Sequence, residues 1–471
     1  SLISSHSYPT NCITVDLGLP INKEVVESNV LKFKNEDSTF KYIQGDSQSI
    51  ETINKVKNEN KEFDFLFIDG DHSTNGVLLD FKNYSPLVKK GGYICFDDYL
   101  DWEFSPQVRG AVDSIVESLD KNEYKVIGSL SYEHLKELRD YLEKEIGVKY
   151  PWQIYKQVPV EDFLYAGMEN TSCTLFAQDY VVDEIGFNDR NYVNVNAHEL
   201  AHQWFGNLVT AKSGKHHWLQ EGFATYYALL AERQIFGDDY FYHQLYRSSL
   251  QLRNAAKTDT IPVMNEKASS LSFYQKGAWA LHLIRETIGP KLFQKAITNY
   301  LKKYQFQNAE TDDFLVEVKK VSNFDTGTFK RVWLEEYHFR SDEANDLLKK
   351  NEFMRTLFET QKMRLKPFAE NKERYKELLR SNIFYPVKTE ILYQLKDLSF
   401  EEKKEILLLA LETKDVKVRQ SVAEFTDEIP LEFKTNYETL LDDVSYDTRE
   451  IAFMNLWKNV SPPEKLILIL P

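Results

Sequence analysis

Two histidines four residues apart, with a glutamate beside the first, form the pattern in this sequence most able to do chemistry. The stretch His198-Glu199-Leu-Ala-His202 is predicted to be helical, and residues four apart on a helix lie on one face. Two imidazoles so placed can bind one Zn²⁺. Glu199 can then reach a water molecule rather than the metal itself. The pattern predicts a zinc site with a general base beside it.

A catalytic zinc site needs a third protein ligand and an open coordination position. The run Trp218-Leu-Gln-Glu221-Gly-Phe-Ala-Thr-Tyr-Tyr227 is apolar and predicted to be helical, with Glu221 in its first turn. We predict Glu221 as the third ligand. The alternative is an amphipathic helix that contains the two histidines by chance. His216 and His217 lie close to Glu221, but adjacent residues of one element point apart, so we assign them to the cleft wall or the surface.

Two more motifs lie on either side of the metal pattern. Upstream is Phe163-Leu-Tyr-Ala166-Gly167-Met168-Glu169-Asn170, and downstream is Phe273-Tyr274-Gln-Lys-Gly277-Ala-Trp279. With the histidine pair and Glu221, they make the segment from about residue 131 to 337 resemble the aminopeptidase N family of gluzincin metallopeptidases. The motifs are specific because four of them occur in the family's order. The resemblance implies a thermolysin-like, mainly α-helical catalytic domain that removes N-terminal residues from peptides.

The resemblance also implies a role for each matching residue. The implied metal ligands for Zn²⁺ are His198, His202 and Glu221. Glu199 would be the general base, and Tyr274 would stabilise the developing oxyanion. The implied substrate-binding loop is Ala166, Gly167, Met168, Glu169 and Asn170. Glu169 would pair with the free amino group of the substrate, which predicts an exopeptidase whose partners are peptides with a free N-terminus.

Three features differ from the family's pattern. Ala166 stands where the loop's first glycine is usual, and Gln220 precedes the third ligand where asparagine is common. The family's N-terminal β-rich domain, which contributes a glutamine to the amine-binding pocket, is not recognisable. A non-catalytic scaffold or chimera without a complete amine-binding pocket is therefore an alternative, against which the complete metal set argues.

Residues 1–128 alternate short β-like runs with helical ones, which predicts a partial α/β unit with a mostly parallel sheet. Two stretches, Phe67-Ile-Asp69-Gly-Asp71-His72 and Gly91-Gly-Tyr-Ile-Cys-Phe-Asp97-Asp98-Tyr99, resemble part of a metal-dependent class I S-adenosylmethionine methyltransferase. The resemblance implies a second metal site for Mg²⁺ at Asp69, Asp97 and Asp98. It also implies Asp71 as a base and places Asp16 and Asp46 near the ribose and adenine of S-adenosylmethionine.

The glycine-rich motif that would hold the methionine end of S-adenosylmethionine is missing from this segment. Pro20 stands in Val15-Asp-Leu-Gly-Leu-Pro20 where a second glycine is wanted. Aspartates also end parallel strands in many α/β proteins without any metal. We therefore expect an incomplete methyltransferase-like segment that does not bind S-adenosylmethionine tightly, with Mg²⁺ and S-adenosylmethionine as cofactors only of the alternative function. O-methyltransferase activity of residues 1–128 is the alternative enzymatic function.

Composition limits the classes of partner and compartment. A formal net charge of −15 argues against nucleic acid, because phosphate binding needs a concentrated basic surface. No run approaches the length of apolar sequence that crosses a bilayer, so we expect no transmembrane segment. Only three cysteines occur, too few and too scattered for a disulfide framework. We expect a cytoplasmic protein whose N-terminus is that of a fragment.

The chain of 471 residues is expected to be a mixed multidomain protein. We predict a methyltransferase-like α/β segment at 1–128, a zinc metallopeptidase catalytic domain at 129–340 and an all-α C-terminal domain at 341–471. Within the last, Val418-Arg-Gln-Ser-Val-Ala423 and Thr448-Arg-Glu-Ile-Ala452 echo each other and favour HEAT-like repeats. An ordinary irregular helical domain is the alternative.

Overall fold

The computed structural model describes residues 11–16, 39–59, 62–97, 105–120, 124, 135–183 and 185–459. The chain divides into two compact units, Ser1–Val126 and Ile127–Pro471. The described residues form mainly helices with four small sheets, which agrees with a mixed, multidomain fold. No helix in the described ranges is long and apolar enough to cross a membrane.

The first unit contains two separate pairs of parallel strands. β1 (Asn11–Asp16) pairs with β2 (Thr39–Gln44), and β3 (Phe63–Ile68) pairs with β4 (Val88–Phe96). The described α-helices of this unit are α1 (Ile50–Glu59), α2 (Thr74–Tyr84) and α3 (Pro106–Ser118). The alternation of strands and helices follows the sequence prediction, and every strand pair seen here is parallel.

The second unit begins with a helix and a small three-stranded sheet. α4 (Leu135–Ile146) precedes β5 (Lys156–Val160), β6 (Gly167–Met168) and β7 (Cys173–Ala177). The strand order is β5-β7-β6, with β6 antiparallel to β7. β6 is thus an edge strand of this sheet, and it lies in the loop that contains Glu169.

Two helices present the predicted metal ligands. α5 (Val193–Ala201) carries His198, and His202 follows at its end with helical backbone angles. After the short strand β8 (Val209–Ala211) and a 3₁₀ turn at Gly214–Leu219, α6 (Glu221–Phe236) begins at Glu221. Residues 221–232 of α6 are buried on every side. A helix that is apolar all round belongs in a core, so α6 is a central helix of this unit.

Further elements follow α6 up to residue 335. They are α7 (Asp238–Ala255), a π-helical turn at Ser272–Lys276, α8 (Gly277–Ile288), α9 (Pro290–Tyr304), β9 (Gln307–Ala309), α10 (Thr311–Val321), α11 (Thr326–Phe329) and a second π-helical turn at Lys330–Glu335. β8 and β9 pair in parallel. Gly222 of α6 and Gly277 of α8 lie so close that a Cβ on either would meet backbone atoms of the other helix at 3.0 Å.

From residue 341 the described chain is helical. The helices are α12 (Ser341–Leu348), α13 (Glu352–Met363), α14 (Phe368–Arg380), α15 (Tyr385–Gln394), α16 (Phe400–Glu412), α17 (Val416–Glu424), α18 (Leu431–Glu438) and α19 (Tyr446–Asn459). One hydrophobic core runs from Leu138 to Leu456 without interruption. The helices after residue 340 therefore share a core with the segment that carries the metal ligands.

Candidate active site

The side chains of His198, His202 and Glu221 converge on one point. His202 Nε2 lies 3.1 Å from His198 Nε2 and 3.1 Å from Glu221 Oε2, and His198 Nε2 lies 3.4 Å from the same oxygen. His202 and Glu221 are buried, and His198 is largely so. Three nitrogen and oxygen donors this close suit a cation between them, and two imidazoles with one carboxylate are a set that Zn²⁺ prefers. The donor chemistry therefore fits zinc.

The turn that follows α5 fixes the orientation of His202. The Nδ1–H group of His202 can donate to the carbonyl oxygen of Phe205 at 2.9 Å. This leaves the lone pair of Nε2 free to coordinate a cation. Gly206 has a φ of 137° in this turn, and a Cβ there would lie 3.3 Å from His202 Nδ1. A side chain at this position would be strained and would press on the ring. Gly206 is thus required by the geometry of the turn.

The same turn holds the loop of Glu169 against α5. Asn207 Nδ2 donates to the Glu169 carbonyl at 2.7 Å, and Gln203 Oε1 accepts from the Ser172 amide at 2.8 Å. The Glu169 side chain is half-buried, and its carboxylate belongs to a second group of converging ligand atoms with Glu199 and His202, all within 4.8 Å. The structure thus brings Glu169 to the metal-binding residues.

Glu199 is enclosed on the same side of α5. Its side chain is buried, and a Cβ added at Gly167 would overlap the Glu199 carboxylate, so a side chain at this position would displace that carboxylate. Burial raises the pKa of Glu199 to about 8, and the neighbouring Glu169 and Glu221 carboxylates act in the same direction against His202. A carboxylate held in this way can take up a proton near neutral pH.

Tyr274 lies on the π-helical turn before α8. Its ring stacks on His198, with centroids 5.5 Å apart and planes 8° apart. Burial and then the Glu221 carboxylate raise the pKa of Tyr274 well above its ordinary value, so the phenol keeps its proton and can act as a donor. Single-turn π-helices are frequent at functional sites, and this one places an aromatic hydroxyl beside the metal ligands.

His216 and His217 have different surroundings. His216 is buried and its Nδ1 lies 3.0 Å from Thr311 Oγ1. The side chain of His217 is partly exposed, and its Nε2 lies 3.5 Å from Glu221 Oε1. This contact runs from the 3₁₀ turn to the first residue of α6, and the sequence did not predict it.

One buried carboxylate on α6 was not predicted from the sequence. Glu232 of α6 accepts a hydrogen bond from Asn194 Nδ2 of α5 at 2.7 Å and another from the Tyr240 hydroxyl at 2.9 Å. A glutamate inside an apolar helix gives no sign of its partners in sequence. Its hydrogen bonds tie together the two helices that carry the ligands.

The aspartates of the first unit do not assemble in the same way. Asp98 lies outside the described residues. Asp69 lies 3.5 Å from His72, and neither Asp69 nor Asp97 belongs to a metal-capable group within the described ranges. Asp71 Oδ1 accepts from the Ser73 amide, as in a turn at the start of a helix. The implied Mg²⁺ site therefore stays a prediction from the resemblance.

Comparisons with known proteins match the two units to different families. Residues 130–333 match the peptidase family M1 domain, and residues 2–99 match a methyltransferase domain. Aminopeptidase M1-D of Oryza sativa subsp. japonica is 34% identical over 197 residues, which are 39% of this chain and 23% of that protein. Endoplasmic reticulum aminopeptidase 2 of Homo sapiens is 34% identical over 260 residues, which are 50% of this chain and 26% of that protein.

The chain spans about a quarter of the length of these curated relatives. Among solved structures, native leukotriene A4 hydrolase from Saccharomyces cerevisiae is similar with a TM-score of 0.44 and 20% sequence identity. This similarity covers 71% of the chain and 59% of that structure.

Proposed function

We propose that this chain, in which residues 130–333 match the peptidase family M1 domain, is a zinc-dependent aminopeptidase that hydrolyses N-terminal residues from peptides. The observation that carries the proposal is the convergence of His198, His202 and Glu221 within 3.4 Å, with the Glu199 carboxylate in the adjoining group of ligand atoms. Zn²⁺ bound by these three residues would polarise the carbonyl of the scissile bond and acidify water at the site.

The protein's own residues supply the proton transfers and the positioning. Glu199 takes a proton from the attacking water and returns it to the departing amine, which its pKa near neutrality permits. The Tyr274 hydroxyl, whose pKa burial raises above its ordinary value, donates a hydrogen bond to the carbonyl oxygen as negative charge develops there. Both groups adjoin the donors that would hold the metal.

Substrate recognition follows from the loop that carries β6. Because β6 is at the edge of its sheet, an extended peptide can add alongside Gly167 and Met168 as a further strand. Glu169, at the end of this strand, then faces the amino end of the peptide and pairs with its ammonium group. Ala166 and Asn170 flank the strand and complete the loop. The partners are peptides with a free N-terminus.

We propose HEAT-like stacking for the helical region from 341 onward. Alternate helices pack against each other: α13 against α15, α15 against α17, and α17 against α19. In the same alternating way, α14 packs against α16. Such alternate stacking is typical of helical solenoids. The division at residues 128 and 340 and a cytoplasmic location remain part of the proposal.

A methyltransferase function of residues 1–128 is the second candidate, because residues 2–99 match a methyltransferase domain. The missing glycine-rich motif before Pro20 argues against it. We therefore propose that the segment does not act on S-adenosylmethionine and that the peptidase site is the active one.

Two substitutions test the proposed function. Glu221→Ala removes a ligand and should abolish stoichiometric zinc binding, whereas Glu199→Gln should keep the zinc and lower turnover by about 10²- to 10⁴-fold. Elemental analysis of the purified chain and hydrolysis of aminoacyl chromogenic amides measure the two effects. Full zinc loading and unchanged rates in both variants would contradict the assignment. Zinc binding by the unmutated chain without any turnover would favour the non-catalytic alternative.

A further inference from the structure

We propose that His217 is a positioning residue for the metal ligand Glu221, an inference that rests on the proposed function. Glu221 directs its two carboxylate oxygens to different partners. Oε2 faces His198 and His202, and Oε1 faces His217 Nε2 at 3.5 Å. A carboxylate whose outer oxygen is held in this way offers the inner one to the cation in a fixed orientation.

The His217 ring is itself held in place by stacking. It lies parallel to the Phe273 ring, with centroids 4.9 Å apart and planes 10° apart. Phe273 and Tyr274 are adjacent on the π-helical turn, and each stacks on one imidazole. Phe273 stacks on His217, and Tyr274 stacks on His198. Tyr274 thus orients the ring of the predicted metal ligand His198. Phe273 orients the ring of His217, which contacts the ligand Glu221.

The backbone fixes this pair of stacks relative to Glu221. Gly222, next to Glu221, lies against Gly277 and the Phe273 carbonyl, with distances of 3.0 and 3.1 Å from a Cβ placed on Gly222. His217 belongs to the 3₁₀ turn that leads into α6, and its carbonyl accepts the Gln220 amide at 2.9 Å. The distance from His217 to Glu221 is therefore set by two short, tightly packed segments.

His217 does not act as a fourth ligand in this arrangement. The convergent donor groups among the described residues contain His198, His202, Glu221, Glu169 and Glu199, and His217 is in neither group. Its side chain is 42% exposed, whereas that of Glu221 is 9% exposed. His217 thus contacts the ligand from the solvent side of the cleft, where a donor can restrain the carboxylate without entering the metal's coordination sphere.

Two substitutions separate the N–H donor from the stacked ring. His217→Phe keeps an aromatic ring against Phe273 and removes the donor, whereas His217→Gln keeps an N–H donor at a similar reach and removes the ring. If His217 orients Glu221, His217→Phe should weaken zinc affinity by about 10- to 100-fold, and His217→Gln should stay within a few fold of the unmutated chain. Competition with a chromogenic zinc chelator measures the affinity in the full chain.

The same titration distinguishes failure of this inference from failure of the proposed function. Without stoichiometric zinc binding by the unmutated chain, the proposed function itself is wrong. When the unmutated chain binds zinc, unchanged affinity in His217→Phe would overturn the role of His217. Loss of affinity in His217→Gln but not in His217→Phe would overturn it too, because the ring packing would then be what matters. Circular dichroism of the zinc-free variants checks that each is folded.

Discussion

Glu199 and Glu169 carry the same chemical group, yet the structure gives them different surroundings. Glu199 is buried under the Gly167 backbone, and its pKa is raised to about 8 by that burial. Glu169 is half-buried at the end of an edge strand, where an incoming peptide could reach it. The first group is suited to exchange a proton and the second to hold a charge. Environment separates the roles of two like side chains.

The role of Glu169 leads to a prediction about substrate selection. We expect N-acetylation of a good peptide substrate to lower its rate of cleavage by at least about a hundredfold, because leaving one charge of a buried pair alone costs about 3 to 5 kcal/mol. In Glu169→Gln, KM for the free peptide should rise and kcat should fall, and the preference for the free peptide should largely disappear. Steady-state kinetics with paired free and acetylated peptides give this comparison.

Glu161 supplies a matched control for this experiment. It is an exposed carboxylate shortly before the same loop, so Glu161→Gln removes a like charge without touching the candidate site. We expect its kinetics to be unchanged. Similar rates for acetylated and free peptides in the unmutated chain would refute the exopeptidase claim, while the zinc site could still stand.

At the scale of elements, the site depends on how α5 and α6 are joined. Asn194 lies one turn before His198 on α5, and Glu232 lies three turns after Glu221 on α6. The hydrogen bond between them and the bond from Tyr240 satisfy a carboxylate inside the core. Such a buried polar contact fixes the register of the two packed helices. It lowers the stability of the fold when the Glu232 carboxylate is charged, because burying a charge is unfavourable.

That loss should appear as a pH dependence of stability. Burial raises the pKa of Glu232 to about 7, against an ordinary value of 4.5, while Asn194 and Tyr240 oppose the rise. The folded state holds the proton of Glu232 more tightly than the unfolded state does. The stability that Glu232 contributes is therefore fully present below pH 4.5 and is lost as pH rises through 7. Glu232→Gln mimics the protonated form. It should match the unmutated chain near pH 4.5 and be more stable at pH 8, by up to ~3 kcal/mol.

Chemical denaturation at the two pH values measures this difference in the free energy of unfolding. Comparing the variant with the unmutated chain at each pH cancels the other titrating groups. Glu232→Ala is the control, since it leaves Asn194 and Tyr240 without an acceptor and should be less stable at both pH values. A gain in Glu232→Gln that is equal at pH 4.5 and pH 8 would show that the carboxylate is charged throughout.

The helices of the site were predictable because their sequence patterns are local. The spacing of His198 and His202 and the apolar run after Glu221 each specify one helix, and the structure has both. The contact of His217 was not predicted, because it depends on a 3₁₀ turn and on a ring from a π-helical turn over 50 residues later. Contacts set by packing between distant segments leave no periodic signal in the sequence.

At the scale of the whole second unit, one core joins the metal-binding region to the C-terminal helices. The loop before α5 contacts the start of α19, where Asp189 accepts two hydrogen bonds. The Ser445 hydroxyl donates to its Oδ1 at 2.5 Å, and the Asp447 amide donates to its Oδ2 at 3.2 Å. A carboxylate at a helix N-terminus is also favoured by the helix dipole. Asp189 thus connects the start of α19 to the loop that precedes α5, the helix of His198.

Asp189→Ala should lower the free energy of unfolding by about 2 to 3 kcal/mol, because it removes hydrogen bonds to a charged and largely buried group. Asp179→Ala is the control, since Asp179 pairs with Arg190 at the surface, where such a pair is worth about 0 to 1 kcal/mol. Because the core is continuous, loss of helical signal and release of zinc should shift together during denaturation in Asp189→Ala. A shift in the helical transition alone, with zinc retained, would mean that the helices after residue 340 unfold as an independent domain.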